Sequence, residues 1–463
     1  MVSPTRNLIY RIFFCLSWCK IIPLRLFLNQ GIDMTIRQLI SSLASNLIHI
    51  PEPASRNYEI ATILKSLEPH PVLFENETET HRKVIGNLYC QKNAIAQALE
   101  IPVSQLRDSL FNAINHPTPP QIISKAACQE IINLSPDLGD LPILSHFPQD
   151  GGPYITAGVV ICHHPKYGQN LDFHRLMVFD KNKMAVRVVK NRHFDQYLRD
   201  LKEMEVAVCI GVPANILIAG ATSVAMGVDE LTIANSLAPI QLVKGKTVDL
   251  LVPADAEYII EGKVTLSELH PEGPFIDLTE TMDIVRQQPV MTISAITHCN
   301  DPIWHALLPG GFEHKVLMGM PREPTIFQKV NQVVRCLDVY VNPGGCSWLH
   351  AIVKIEKQHP DDGIKAIQAA FLGHSSLKHV FVVDQDIDIY NPAEVEWAMA
   401  TRFQGDRDLV ILPKKPGSSL DPSSEGDQNL TTRIGFDLTK PSSDKNFNRV
   451  EYPSVDLNKW LLK

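Results

Sequence analysis

Apolar residues recur at helical spacing from Thr35 onward, where Ile36, Leu39, Ile40, Leu43 and Leu47 fall three or four apart and predict an amphipathic helix. A second helix is predicted near Tyr58–Leu67, followed by the strand-like run PVLFEN, residues 71–76. Residues 81–115 read as further helix through AIAQALEIP and SQLRDSLFNAI. HPTPPQ, residues 116–121, breaks both periodicities, because proline lacks an amide hydrogen and restricts the residue before it. A small α/β unit is therefore expected over 34–120.

Beyond that linker the texture changes to short β-branched runs separated by Gly, Pro, Asn and Asp: YITAGVVIC, RLMVFD, MAVRVVK, VAVCIGV, IQLVKG, VDLLVP, EYIIEGKV and PVMTISAIT. Many short strands at this spacing predict a barrel or a compact β-rich domain over 121–305. From residue 306 helical segments alternate with buried-strand runs such as KHVFVVD, which predicts a third, α/β unit over 306–463. GSSLDPSSEGDQNLTTR, residues 417–433, and the stretch after it read as a polar tail lying over the surface. AIQAAFL and EWAMATRF read as core faces or, alternatively, as a subunit contact.

Residues 1–33 are aromatic and apolar but broken by Arg11, Lys20 and Arg25, and the longest uncharged run, Ile12–Cys19, is too short to span a bilayer. They are expected to lie outside the fold, with a basic surface anchor as the alternative. A total of 43 basic and 51 acidic side chains gives a formal charge of −8 with no dense basic block, which argues against nucleic acid as a main partner. The nine cysteines are scattered without a C-x-x-C pair, so a reduced, cytoplasmic protein without a disulfide frame or zinc site is expected.

Common catalytic signatures are missing: no G-x-G-x-x-G follows a strand, and neither H-E-x-x-H nor G-x-S-x-G occurs. Gly245-Lys246-Thr247 resembles the end of a phosphate loop, but Ile240 stands where that loop needs glycine, so a turn between strands is expected. HHP at 163–165 reads as structural, and Cys299 beside His298 as pocket lining rather than a thiol–imidazole pair, since neighbours on a strand face opposite ways.

Four segments carry the candidate chemistry: NLDFHR (170–175), KNRH (190–193), GVDE (227–230) and PEGPFID (271–277). Glu272 and Asp277 flank a Gly-Pro turn, and two carboxylates on a tight loop can be aimed at one spot around an arginine. Asn170, His193 and Glu230 offer amide oxygen, imidazole and carboxylate, a donor set suited to Mn²⁺ or Mg²⁺.

In order and approximate spacing, DGGPYITAGVV, N-x-x-x-x-R, K-x-x-H, G-V-D-E, DLLVPADAEYIIEG, PEGPFID and VVDQDIDIYNPAEVEWAMATRF resemble the UbiD-like decarboxylases, over roughly residues 120–440. The resemblance implies prenylated FMN as cofactor, with Mn²⁺ or Mg²⁺ bridging the protein to the flavin phosphate through Asn170, His193 and Glu230, and K⁺ as a further candidate ion. It implies Arg175, Glu272 and Asp277 as the catalytic set, Arg175 and Arg192 also facing the cofactor, and Asp277 as proton donor. Many relatives carry Glu at the position of Asp277 and Gln at that of Arg192, so reach to substrate and local contacts are expected to differ here.

The fold implied is α/β (α+β): an N-terminal α/β unit, a central flavin-binding split β-barrel-like domain and a C-terminal α/β assembly domain. The activity implied is non-oxidative, reversible decarboxylation of an aromatic or α,β-unsaturated acid by a homodimer or higher homo-oligomer supplied by a flavin prenyltransferase. Candidate acids are polyprenyl hydroxybenzoate, a cinnamate-type acid and a phosphorylated anhydromevalonate. Leu278, His298, Leu308 and Phe312 are candidate substrate-lining residues, and Arg192, Lys315 and Arg322 are candidate phosphate contacts. Two rivals stand beside this: a non-catalytic cofactor-holding subunit of a carboxylase complex, and an FMN oxidoreductase using a nicotinamide donor.

Overall fold

The structure is a computed structural model and describes residues 34–43 and 46–441, with 447, 449–450, 452–456 and 460 of the C-terminal stretch. The expected extension over 1–33 lies outside the described residues.

The predicted first helix forms at Ile36–Leu43 and the second at Glu59–Leu67. PVLFEN supplies the strand Val72–Phe74, wholly buried. Residues 81–115 are only partly helical. Helices Lys92–Ala98 and Leu106–Asn115 are present, but Lys83–Gly86 is a strand, because its Val84 and Ile85 fill the centre of a small sheet. That sheet has the order Ile48–Ile50, Val72–Phe74, Lys83–Gly86, Ile303–His305. The chain thus returns to the N-terminal sheet after finishing the central domain, a pairing of residues 220 positions apart that no local pattern announces.

The central strands form a ladder in the order Tyr154–Ile155, Leu176–Asp180, Lys183–Val186, Arg286–His298, Tyr258–Glu272, Glu203–Ile210, Val159–His164, Gly168–Phe173. Every pairing is antiparallel, and Ile131–Asn133 adds a ninth strand on Arg286–His298. Gly168–Phe173 forms one edge and Leu176–Asp180 stands next to the other, yet His174 and Arg175 alone join them. In a flat sheet, six strand spacings of about 4.8 Å would separate the two by roughly 29 Å. Two linking residues reach roughly 10 Å. The sheet must therefore roll up, and Arg175 sits on its seam.

The short β-branched runs are buried on both faces. Val159 and Ile161 join a core shared with Ile36, Leu39 and the helix Ala214–Ala221, while Val160 and Cys162 face the interior of the rolled sheet with Met184, Val208 and Ile260. Strand Glu203–Ile210 alternates in the same way, Ala207 and Cys209 outward, Val206, Val208 and Ile210 inward. Gly245-Lys246-Thr247 is a turn between strands Gln241–Lys244 and Leu251–Pro253. Its amides hold a protein carboxylate: the Lys246 and Thr247 N–H groups donate to Glu261.

The C-terminal sheet has the order Cys336–Tyr340, His350–Ile355, His379–Asp384, Leu430–Asp437, Leu409–Pro416. The expected surface tail is corrected here. Leu430–Asp437, which begins within it, is an inner strand, parallel to His379–Asp384, and GSSLDPSSEGDQN is the loop leading to it. The polar loop masks the strand because only alternate residues, Thr431, Gly435 and Asp437, are buried. Helix Asp362–Gly373, which carries AIQAAFL, places Ala366, Ile367, Ala369, Ala370 and Phe371 in the domain's own core. The seven described cysteines are free, and no helix among the described residues is long and apolar enough to cross a membrane.

Candidate active site

The seam residue Arg175 meets the end of the long ribbon formed by Tyr258–Glu272 and Arg286–His298. Glu272 ends one strand, opposite Arg286, and its side chain is completely enclosed. Arg175 Nε donates to Glu272 Oε1 at 2.8 Å and Nη2 to Oε2 at 3.2 Å, a two-point fork. Nη1 donates to Asp277 Oδ2 at 3.1 Å and Nη2 also to Asp283 Oδ2 at 2.8 Å. One guanidinium thus gathers three carboxylates. Burial alone would make Arg175 easier to deprotonate, but Glu272, Asp277 and Asp283 together hold its pKa above the ordinary arginine value.

Sequence reasoning named Arg175, Glu272 and Asp277 but missed their neighbours. Asp283 is shared with Arg286 Nη1 at 2.6 Å and lies 3.8 Å from Arg187 Nε. Three arginines therefore balance three carboxylates. Despite partial burial, Arg286 and Arg175 keep the Asp283 pKa below the usual carboxylate range. Tyr154 donates its hydroxyl to Glu272 Oε1 at 3.0 Å and stacks on Phe275 with ring centroids 3.8 Å apart. Burial, then the Glu272 charge, holds the Tyr154 hydroxyl firmly protonated. An arginine inside the apolar run MAVRVVK was a usable signal for Arg187, whereas Asp283 ends the two-residue strand Met282–Asp283 with nothing in the sequence to mark it.

Backbone fit explains the glycines of DGGP and PEGP. The Gly151 N–H donates to Pro274 O at 2.9 Å, and a Cβ at Gly151 would lie 2.3 Å from Gly273 O. Gly151→Ala must push the carboxylate turn away from Arg175. A loss of about 1–3 kcal/mol is expected, read as a lower midpoint in denaturant unfolding, and an unchanged midpoint would show the contact to be slack.

The second constellation lies along Gly168–Phe173. Asn170 Oδ1 is 3.2 Å from His193 Nδ1. His193 opens the helix His193–Leu201 and Glu230 opens Glu230–Leu237, so both side chains leave from helix N-termini. Glu230 Oε2 accepts the Leu171 N–H at 2.8 Å, between Asn170 and Asp172. Burial, with Asp172 and Asp229 nearby, pushes the Glu230 carboxyl up to about 8, and the Asn170 amide nitrogen is enclosed without a partner. Among the described residues no three His, Cys, Asp or Glu side chains are arranged to hold a metal ion; here the third donor is an amide. An under-compensated buried carboxylate beside amide oxygen and imidazole fits a hard divalent cation.

Of the candidate lining residues, Leu278 is fully buried beside Asp277, its amide donating to Asp277 Oδ1 at 2.7 Å, and packs with Trp348 and Leu349. Leu308 is buried and Phe312 exposed on the 308–312 turn, which meets the Asp277 loop: a Cβ on Gly310 would lie 3.1 Å from Asp277 O. His298 is not brought to this cluster. It pairs with Tyr258 at the opposite end of the ribbon from Glu272. Cys299 beside it accepts no catalytic role, since its thiol contacts Glu257 Oε2 at 3.1 Å and burial, then that carboxylate, pushes it up to about 12. His164 of HHP packs between Tyr167 and Tyr197.

Family models match three consecutive parts of the chain: the N-terminal domain of 3-octaprenyl-4-hydroxybenzoate carboxy-lyase over residues 44–114, its Rift-related domain over 121–312 and its C-terminal domain over 315–438. Anhydromevalonate phosphate decarboxylase of Methanothermobacter thermautotrophicus is 39% identical over 424 residues, covering 90% of this chain and 99% of that protein. The UbiD-class enzyme HmfF from Pelotomaculum thermopropionicum, solved in complex with FMN, superposes with a TM-score of 0.89 at 34% identity over 92% of this chain and 100% of its own. An evolved dimeric form of HmfF, solved in complex with prFMN, gives a TM-score of 0.85 at 33% identity over the same shares. With a carboxylate–arginine cluster on the seam of a rolled sheet and three matching domains in order, this chain belongs to the UbiD family of carboxy-lyases.

Proposed function

We propose that the protein is a prenylated-FMN-dependent decarboxylase of a short α,β-unsaturated acid bearing a phosphate, with anhydromevalonate phosphate as substrate. The observation that carries the chemistry is the Arg175 cluster; the substrate rests on the near full-length similarity to the archaeal decarboxylase. Asn170, His193 and Glu230 would hold Mn²⁺ or Mg²⁺ and, through it, the flavin phosphate, with Arg192 at its side. When bound, the modified flavin supplies the electron sink for the pair left behind as CO₂ departs.

The protein's own groups do the rest. The carbon–carboxylate bond breaks and a proton must take the place of CO₂. Arg175 orients the substrate carboxylate, but every arm of its guanidinium is already engaged by a carboxylate, so one must yield. Glu272 is fully enclosed and Asp283 is 16% exposed and braced by Arg286, whereas Asp277 is 23% exposed and holds Arg175 through a single 3.1 Å contact. Asp277 is therefore the group that moves, accepts a proton and delivers it to carbon, while Glu272 and Tyr154 keep Arg175 in place. A non-catalytic subunit would have no need to keep this cluster assembled, and an oxidoreductase would require a nicotinamide donor that this reaction does not use.

His193→Ala, co-produced with a flavin prenyltransferase, is expected to lose metal and flavin together, each by roughly tenfold or more in native mass spectrometry. Retention of both at wild-type levels would remove His193 from the proposed site.

A further inference from the structure

Of the three cations proposed for a phosphate, Lys315 is already neutralised by Glu280 at 3.1 Å. Arg192, Arg322 and also Arg433 form no ion pair among the described residues. Arg322 lies between domains. Its Nη1 donates to the Ser223 hydroxyl and its Nη2 to Ala221 O at 2.8 Å, both in the central domain, and its guanidinium lies 5.1 Å from the Trp348 ring of the C-terminal domain. The same ring meets His374 edge-on with centroids 4.5 Å apart, and Arg433 Nη2 donates to the neighbouring Ser375 O. Arg322 Nε, His374 Nε2 and Arg433 Nε are all enclosed without a hydrogen-bond partner. Burial, then the charge of Arg192, pushes Arg322 down to about 10, and burial, then Arg322 and Arg192, pushes His374 down to about 3. A half-buried arginine with no counter-charge, beside enclosed unused N–H donors and a hydroxyl, lacks an anion.

The place also has a relation to the reacting groups. Trp348 packs on Leu278, whose amide is bonded to Asp277, so Arg322 stands two side chains from the proton donor. Arg192 precedes His193. We infer that Arg322, with the Ser223 hydroxyl and the unused N–H groups beside it, forms a seat for a phosphate monoester, and that it takes the phosphate at the far end of the substrate acid rather than that of the flavin. This assignment of source rests on the substrate reading above; the seat does not.

The test uses flavin-loaded holoenzyme titrated with inorganic phosphate by calorimetry, then assayed with anhydromevalonate phosphate. Wild type binds phosphate; Arg322→Gln weakens that binding roughly 30-fold, as expected for hydrogen bonds to a charged group, keeps its flavin, and raises KM far more than it lowers kcat. Arg322→Lys restores part of the binding, and Ser223→Ala, on an exposed loop, weakens it a few-fold without a folding risk. Loss of flavin from Arg322→Gln would assign the seat to the flavin phosphate and overturn the inference. So would wild type that binds no phosphate, or variants that bind it as wild type does. Phosphate binding lost in the variants of an enzyme whose wild type ignores anhydromevalonate phosphate would uphold the seat and refute the substrate reading instead.

Discussion

Asp277→Asn is expected to lower turnover by about 10³-fold while leaving flavin and metal content unchanged. The substitution keeps the side chain's volume and leaves an oxygen for the Leu278 N–H, which Asp277 Oδ1 accepts at 2.7 Å, so the loop should hold its shape. What it removes is the proton. An amide cannot carry the hydrogen that replaces CO₂, and it also loosens the contact to Arg175 that must be exchanged for the substrate carboxylate. Single-turnover measurements should therefore show substrate binding with slow release of the protonated product. Full activity in Asp277→Asn would move the donor elsewhere, with Glu272 the nearest alternative.

Arg175→Met is expected to be worse, because it damages both chemistry and fold. Glu272 is fully enclosed and would face Asp283 with Arg175 gone and Arg187 no closer than 4.0 Å. Stranding a buried carboxylate in this way costs about 3–5 kcal/mol, enough to be read directly as a lower unfolding midpoint. Replacing both partners removes the stranded charge, so Arg175→Met/Glu272→Met should regain most of the stability and none of the activity. A double variant as unstable as the single one would show that Glu272 is held mainly by Tyr154 and the turn, with Arg175 a bystander to its burial.

Much of this site was legible in the chain because its parts are local. Glu272 and Asp277 share one turn, Asn170 and Arg175 one strand and its exit, and His193 and Glu230 each sit at a helix start that the polar-to-apolar switch marks. The strands of the central domain were legible for a related reason: residues buried on both faces leave uninterrupted β-branched runs. What escaped was set by long-range contact. Asp283 and Arg286 join the cluster only because the ribbon folds back on itself, and Ile303–His305 completes the first sheet from the far side of a whole domain. Leu430–Asp437 was obscured by the polar loop before it and by a strand with few buried side chains. His298 stands at the end of the ribbon away from Glu272, and neighbourhood in sequence to a β-run says nothing about which end of the ribbon reaches the seam.

The central claim is non-oxidative loss of CO₂ with protonation at the same carbon. The most direct measurement is anaerobic turnover of anhydromevalonate phosphate by holoenzyme in D₂O, without nicotinamide, following CO₂ and the deuterium content of the product. The account predicts equal amounts of CO₂ and product, with one deuterium on the carbon that carried the carboxylate. Flavin-loaded enzyme that releases no CO₂, or does so only when a nicotinamide donor is added, would contradict it.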